Sequence, residues 1–87
     1  MNWEIYDAEM VYSKEEGYLG KVRFILEGQR SRYEITLQSK KGNEWSYSLN
    51  FTEESGIEAE IEVAEKRLEE DDELFDALVE AAKSKLR

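Results

Sequence analysis

Residues 57–63 read Ile-Glu-Ala-Glu-Ile-Glu-Val, and the fold turns on this stretch. Alternation of apolar and acidic residues suits a strand, because successive strand side chains point to opposite faces. The same residues also open a helical stripe. Ile57, Ile61, Ala64 and Leu68 recur at the three- and four-residue spacing of one helix face. As a strand, the stretch adds a fifth member to a sheet; as a helix, it covers a sheet of four. Two features favour the helix. Ser55, with Glu58 three residues on, fits a capping box, and a run of Glu, Ala, Lys, Arg and Leu follows. Asp71 or Asp72 then reads as a break and a second N-cap. Beyond it Leu74, Phe75, Leu78, Ala81, Ala82 and Leu86 form another stripe, and Lys83, Lys85 and Arg87 suit the negative end of a helix dipole. The two stripes are nearly in phase, which fits one kinked helix or two.

Upstream, the pattern is strand and turn. Asn2–Tyr12 alternates, with Tyr6, Ala8, Met10 and Tyr12 on one side and Trp3, Ile5, Asp7, Glu9 and Val11 on the other. The loop Ser13–Gly17 leads to a second strand, Tyr18–Glu27, and Gly28–Ser31 to a third, Arg32–Lys40. After Lys41-Gly42-Asn43 comes Trp45–Phe51, whose Trp45, Tyr47, Leu49 and Phe51 alternate with Ser46, Ser48 and Asn50. Short loops between alternating runs predict hairpins, hence an antiparallel meander in the order 1-2-3-4.

Charge and apolar matching predict the register. In the first hairpin Tyr6 faces Phe24, Ala8 faces Val22 and Met10 faces Gly20, while Asp7 meets Arg23 and Glu9 meets Lys21. In the second, Leu26 meets Tyr33, Phe24 meets Ile35, Val22 meets Leu37 and Glu27 meets Arg32. In the third, Leu37 faces Tyr47, Ile35 faces Leu49 and Tyr33 faces Phe51. One sheet face is then apolar throughout. The other is charged and hydroxylic, except where Trp3, Ile5 and Ile25 gather at a corner. Glu4 falls out of phase near Leu26, which a strand end or a bulge near Ile5 explains.

The expected fold is α+β: a four-stranded antiparallel sheet over 1–52 and an acidic helical segment over 55–87, packed on one face as a single domain. The 87 residues are 40% hydrophobic and 11% aromatic, enough for one modest core. The chain lacks histidine, the commonest general base, and cysteine, so neither disulfides nor thiolate chemistry are open to it. The net charge of −9 is uneven: residues 1–50 carry −1 and residues 51–87 carry −8. That field opposes nucleic acid and anionic lipid and suits a basic partner or a solvated surface. No apolar run approaches the ~20 residues of a membrane span, and no signal peptide is evident, so a cytoplasmic protein is expected.

Motifs for chemistry are scarce. Glu69-Glu70-Asp71-Asp72-Glu73 lacks the spacing of a calcium loop and reads as a solvated helix junction. There is neither a nucleophile elbow nor a phosphate loop, and nearly every acid falls on an outer face, so no catalytic, metal or cofactor residue is assigned. Lys21, Arg23 and Arg32 on the outer sheet face are interleaved with acids, and the aromatics lie mainly on the opposite face, which disfavours RNA binding. The expected function is a non-catalytic interaction module binding a protein partner or itself. Its candidate surface is Trp3, Ile5 and Ile25 at the corner, with Ser46, Ser48 and Asn50 on an edge strand lacking Lys and Pro. The alternative is a small apolar ligand held between sheet and helices, under Trp45 and Phe51.

Overall fold

The computed structural model describes residues 2–52 and 56–86. Four strands, β1 (Trp3–Ser13), β2 (Gly17–Leu26), β3 (Arg32–Ser39) and β4 (Ser46–Phe51), precede two helices, α1 (Glu58–Glu70) and α2 (Asp72–Lys83). The sheet is antiparallel in the order β1-β2-β3-β4, and residues 58–63 are helix, which makes the fold α+β.

Each turn is built by its sequence. Gly17 closes the first hairpin at φ 82°, a left-handed conformation that glycine adopts without a steric penalty, while the Ser13 hydroxyl accepts from the backbone N–H groups of Glu15 and Glu16. Register in this hairpin is as expected for Asp7↔Arg23, Ala8↔Val22, Glu9↔Lys21 and Met10↔Gly20. It then shifts between Ile5 and Asp7, so that Ile5, not Tyr6, opposes Phe24. Tyr6 is the extra residue of a β-bulge. Below it Trp3 opposes Leu26, and Trp3 and Ile5 turn to the helix-covered side, where they pack against the core. Glu4 is returned to the exposed side, opposite Ile25.

The second hairpin differs from expectation by two residues. Phe24 pairs with Tyr33, Val22 with Ile35, Gly20 with Leu37 and Ile25 with Arg32. An even shift leaves every side chain on its expected face, so the apolar layer survives. The physical reason lies in residues 29–31, which are recruited to hold α1. The Glu60 carboxylate accepts from the backbone N–H of Arg30 (3.1 Å) and of Ser31 (2.9 Å), and from the Ser31 hydroxyl (2.7 Å). Gln29 Nε2 donates to the Glu60 carbonyl, and the Tyr33 hydroxyl donates to Gln29 Oε1. The third hairpin has the expected register throughout, from Tyr33↔Phe51 to Leu37↔Tyr47.

Helix α1 begins at Glu58 with Ile57 as N-cap, and the capping box expected on Ser55 falls outside the described residues, as does Arg87. The Ile57 N–H, one of the donors a helix start leaves open, is satisfied by the Ser31 hydroxyl of the β2–β3 turn at 3.0 Å. Asp71 ends α1 and caps α2, accepting from the Leu74 N–H at 3.2 Å. Its extended backbone, φ −108° and ψ 94°, separates two helices rather than kinking one. Arg67 pairs with Asp71 and stacks its guanidinium over Trp3 at 5.5 Å, linking the helix junction to β1.

Met10, Val22, Phe24, Leu26, Tyr33, Ile35, Leu37 and Leu49 from the sheet meet Ala64, Leu68, Leu74, Leu78, Val79 and Ala82 from the helices. Val79 adds a buried contact beyond the expected stripe. Leu49→Ala should cost about 2–3 kcal/mol in urea unfolding, low in the range for Leu→Ala because an edge-strand site can partly collapse. A loss under about 0.5 kcal/mol, typical of a surface change, would place this side chain outside the core.

Hydrogen bonds from Ser31 and Arg30 hold the Glu60 carboxyl below its ordinary value, and the Leu74 N–H and Arg67 do the same for Asp71. Lowered folded-state values mean stability that is complete above the unfolded pKa, about 4, and is lost as pH falls through the folded ones. Stability should therefore decline on acidification below about pH 4.5. Glu60→Gln should be less stable at neutral pH and show a shallower acid decline in unfolding curves recorded against pH. An unchanged acid limb would contradict the role given to this carboxylate.

Candidate interaction surface on the fourth strand

Both helices pack on one face of the sheet, so among the described residues the other face is open. Its rows follow from the register: Asp7–Arg23–Glu34–Asn50, Glu9–Lys21–Thr36–Ser48 and Val11–Leu19–Gln38–Ser46. In the first two rows acids on β1, bases on β2 and mixed groups on β3 give way to uncharged residues on β4, and the third row is uncharged throughout. Within the first row Arg23 Nε pairs with Glu34 at 3.1 Å, and the neighbouring Arg32 guanidinium lies 5.9 Å from the Tyr6 ring centre. The Glu34 hydrogen bond raises the Arg23 pKa further, followed by the charge of the same carboxylate. These cations are therefore engaged with acids and with an aromatic ring.

Of the six residues singled out in the sequence, the structure brings Ser46, Ser48 and Asn50 together in an exposed row on β4. Trp3, Ile5 and Ile25 do not form a corner. The bulge at Tyr6 sends Trp3 and Ile5 to the helix side, and Ile25 is half-buried on the open face between Glu4 and Arg32. The out-of-phase Glu4 points to a bulge near Ile5, and the structure has one there; strict alternation carried through it is what places Trp3 and Ile5 on the wrong face. Tyr6, with nearly half its surface exposed beside Arg32, takes the place expected for the apolar corner.

β4 is an edge strand, paired among the described residues with β3 alone. The Thr52 N–H donates to the Arg32 carbonyl at 3.2 Å, which sets the phase of the ladder. Antiparallel pairs alternate between bonded and non-bonded, so the backbones of Ser46, Ser48 and Asn50 face β3. Those of Tyr47 and Leu49 face the open side. Their side chains point to the helices: Leu49 is buried, and the half-buried Tyr47 ring lies 5.6 Å from Phe75. The opposite edge is different. β1 carries a bulge together with Glu4, Asp7 and Glu9, and α2 packs against it, the usual means of discouraging an added strand.

The space between sheet and helices, the place expected for a small apolar ligand, is filled by side chains such as Phe24, Tyr33, Leu37 and Leu74, none of which has exposed surface. Two surface clefts lie elsewhere. One, of about 860 Å³, runs between the β1–β2 turn and the β3–β4 loop, where Glu15, Glu16 and Glu44 face Lys40 and Lys41. The other, of about 450 Å³, lies at the helix junction beside Val63, Lys66 and Asp71. Among the described residues no group of acids is placed to hold a metal ion, and no helix is long and apolar enough to cross a membrane. No protein-family model, curated protein or solved structure matches the chain.

Proposed function

We propose that the chain is a small acidic, cytoplasmic, non-catalytic interaction module that accepts an extended segment of a protein along β4, from a partner or from a second copy. The observation that supports this most is the open side of β4, where the Tyr47 and Leu49 backbones have no neighbouring strand among the described residues. Backbone hydrogen bonds supply affinity in such strand addition, and alternate side chains supply selectivity. The outward residues Ser46, Ser48 and Asn50 are small and uncharged, so they do not repel a second strand. The acidic C-terminal third opposes phosphate backbones, so nucleic acid is not the partner.

An NMR titration with a short extended peptide of alternating threonine and valine tests this. Shift changes should centre on the Tyr47 and Leu49 amides. Ser48→Lys should change stability by no more than about 0.5 kcal/mol and should weaken the peptide's binding, because an edge lysine discourages pairing. Changes scattered over the open face, or none at β4, would contradict the proposal.

A further inference from the structure

The charge beside the open edge names the chemistry of the strand it would take. Glu58, Glu62, Glu65 and Glu69 each follow one member of the apolar stripe Ile57, Ile61, Ala64 and Leu68, of which Ala64 and Leu68 are buried. One residue is a rotation of about 100° about a helix axis, so the four acids form their own stripe along one flank of α1. All four are exposed. The opposite flank is occupied: Glu60 bonds to Ser31 and the β2–β3 turn, and Arg67 covers Trp3 of β1. With that side turned toward β1 and the β2–β3 turn, and α1 packed on β4, the acidic stripe runs along the side of β4. The Tyr47 hydroxyl agrees. Its pKa is pushed up by burial first and then by the carboxylates of Glu69 and Glu65. β4 itself carries neither lysine nor arginine.

Resting on the strand-addition reading above, we infer that the occupant of the β4 edge is a basic extended segment, with Lys or Arg at alternate positions on its helix-facing side. Its backbone pairs with Tyr47 and Leu49, its basic side chains meet the Glu58–Glu62–Glu65–Glu69 stripe, and its other side chains extend the row of Ser46, Ser48 and Asn50. A second copy of the chain is a poor occupant. Two-fold pairing along β4 would bring two acidic stripes toward one another, and like charges across an interface oppose association.

Three capped peptides of equal length test this against the full chain by calorimetry and by amide shifts: alternating threonine–lysine, threonine–glutamate and threonine–valine. The lysine peptide should bind at β4 at least about tenfold more tightly than the glutamate peptide, with a preference that shrinks as salt rises. The double variant Glu65→Gln, Glu69→Gln should lose most of that preference while still binding the valine peptide. Equal binding of all three at Tyr47 and Leu49 would overturn the basic-partner inference and leave strand addition standing. Failure of every peptide to shift those amides would overturn strand addition itself. A lysine peptide that binds as well after its backbone amides are methylated is held by charge alone, and contradicts both. A chain that dimerises through β4 in light scattering overturns the basic-partner inference in favour of a second copy.

Discussion

Phe24→Ala should cost about 3–5 kcal/mol, a large share of the ~5–15 kcal/mol that holds a small domain folded. Phe24 has no exposed surface and sits in the middle of the sheet, opposite Ile5 on one side and Tyr33 on the other, with its ring 5.6 Å from that of Tyr33. Truncation removes the aromatic pair and leaves a cavity that the flanking strands cannot close, because both are fixed by their ladders. Phe24→Leu, which keeps most of the volume, should cost less than about 1.5 kcal/mol. Urea unfolding of both variants checks this. A loss under about 1 kcal/mol for alanine would mean that the ring is not in the sheet–helix layer.

Gly17→Ala carries the second large effect, and Gly28→Ala isolates its cause. Both glycines have positive φ, 82° and 86°. An alanine in that conformation costs about 1–2 kcal/mol from contact with its own backbone. A methyl group on Gly28 would meet nothing within 4 Å, so that strain is its whole cost. On Gly17 it would lie 2.5 Å from the Ser39 carbonyl oxygen and 2.6 Å from the Lys40 Cα, both backbone atoms. The end of β3 would have to move, and a total near 3 kcal/mol is expected. Unfolding curves for the pair should show Gly17→Ala clearly the more destabilised. Equal losses would mean that the first hairpin does not approach the end of β3 this closely.

How far the sequence carries depends on what kind of contact decides each feature. Alternation of period two assigns faces, and Val22, Phe24, Ile35, Leu37 and Leu49 all lie on the face it assigns. It is blind to an even slip, which is why the β2–β3 register was legible only to within two residues. What sets that register is long-range: Gln29, Arg30 and Ser31 bind Glu60, which is 29 residues away from Ser31. Nothing local distinguishes Glu60 from its neighbours Glu58 and Glu62. The start of α1 follows the same logic, since Ser31, a serine from another turn, satisfies the Ile57 N–H. Asp71, by contrast, caps through its own side chain, and that cap was legible in the sequence. The candidate surface divides the same way. Ser46, Ser48 and Asn50 follow from alternation and strand order, whereas the place of Trp3 and Ile5 depends on a bulge.

The central claim is that one side of β4 is open in the isolated chain, and amide hydrogen exchange along this strand tests it most directly. With the protein shown to be monomeric by light scattering, the Ser46, Ser48 and Asn50 amides, which face β3, should be protected. The Tyr47 and Leu49 amides should exchange rapidly, giving an alternating pattern along the strand. Protection of Tyr47 and Leu49 equal to that of their neighbours in the monomer would show that the edge is already covered from within the chain, and would contradict the account.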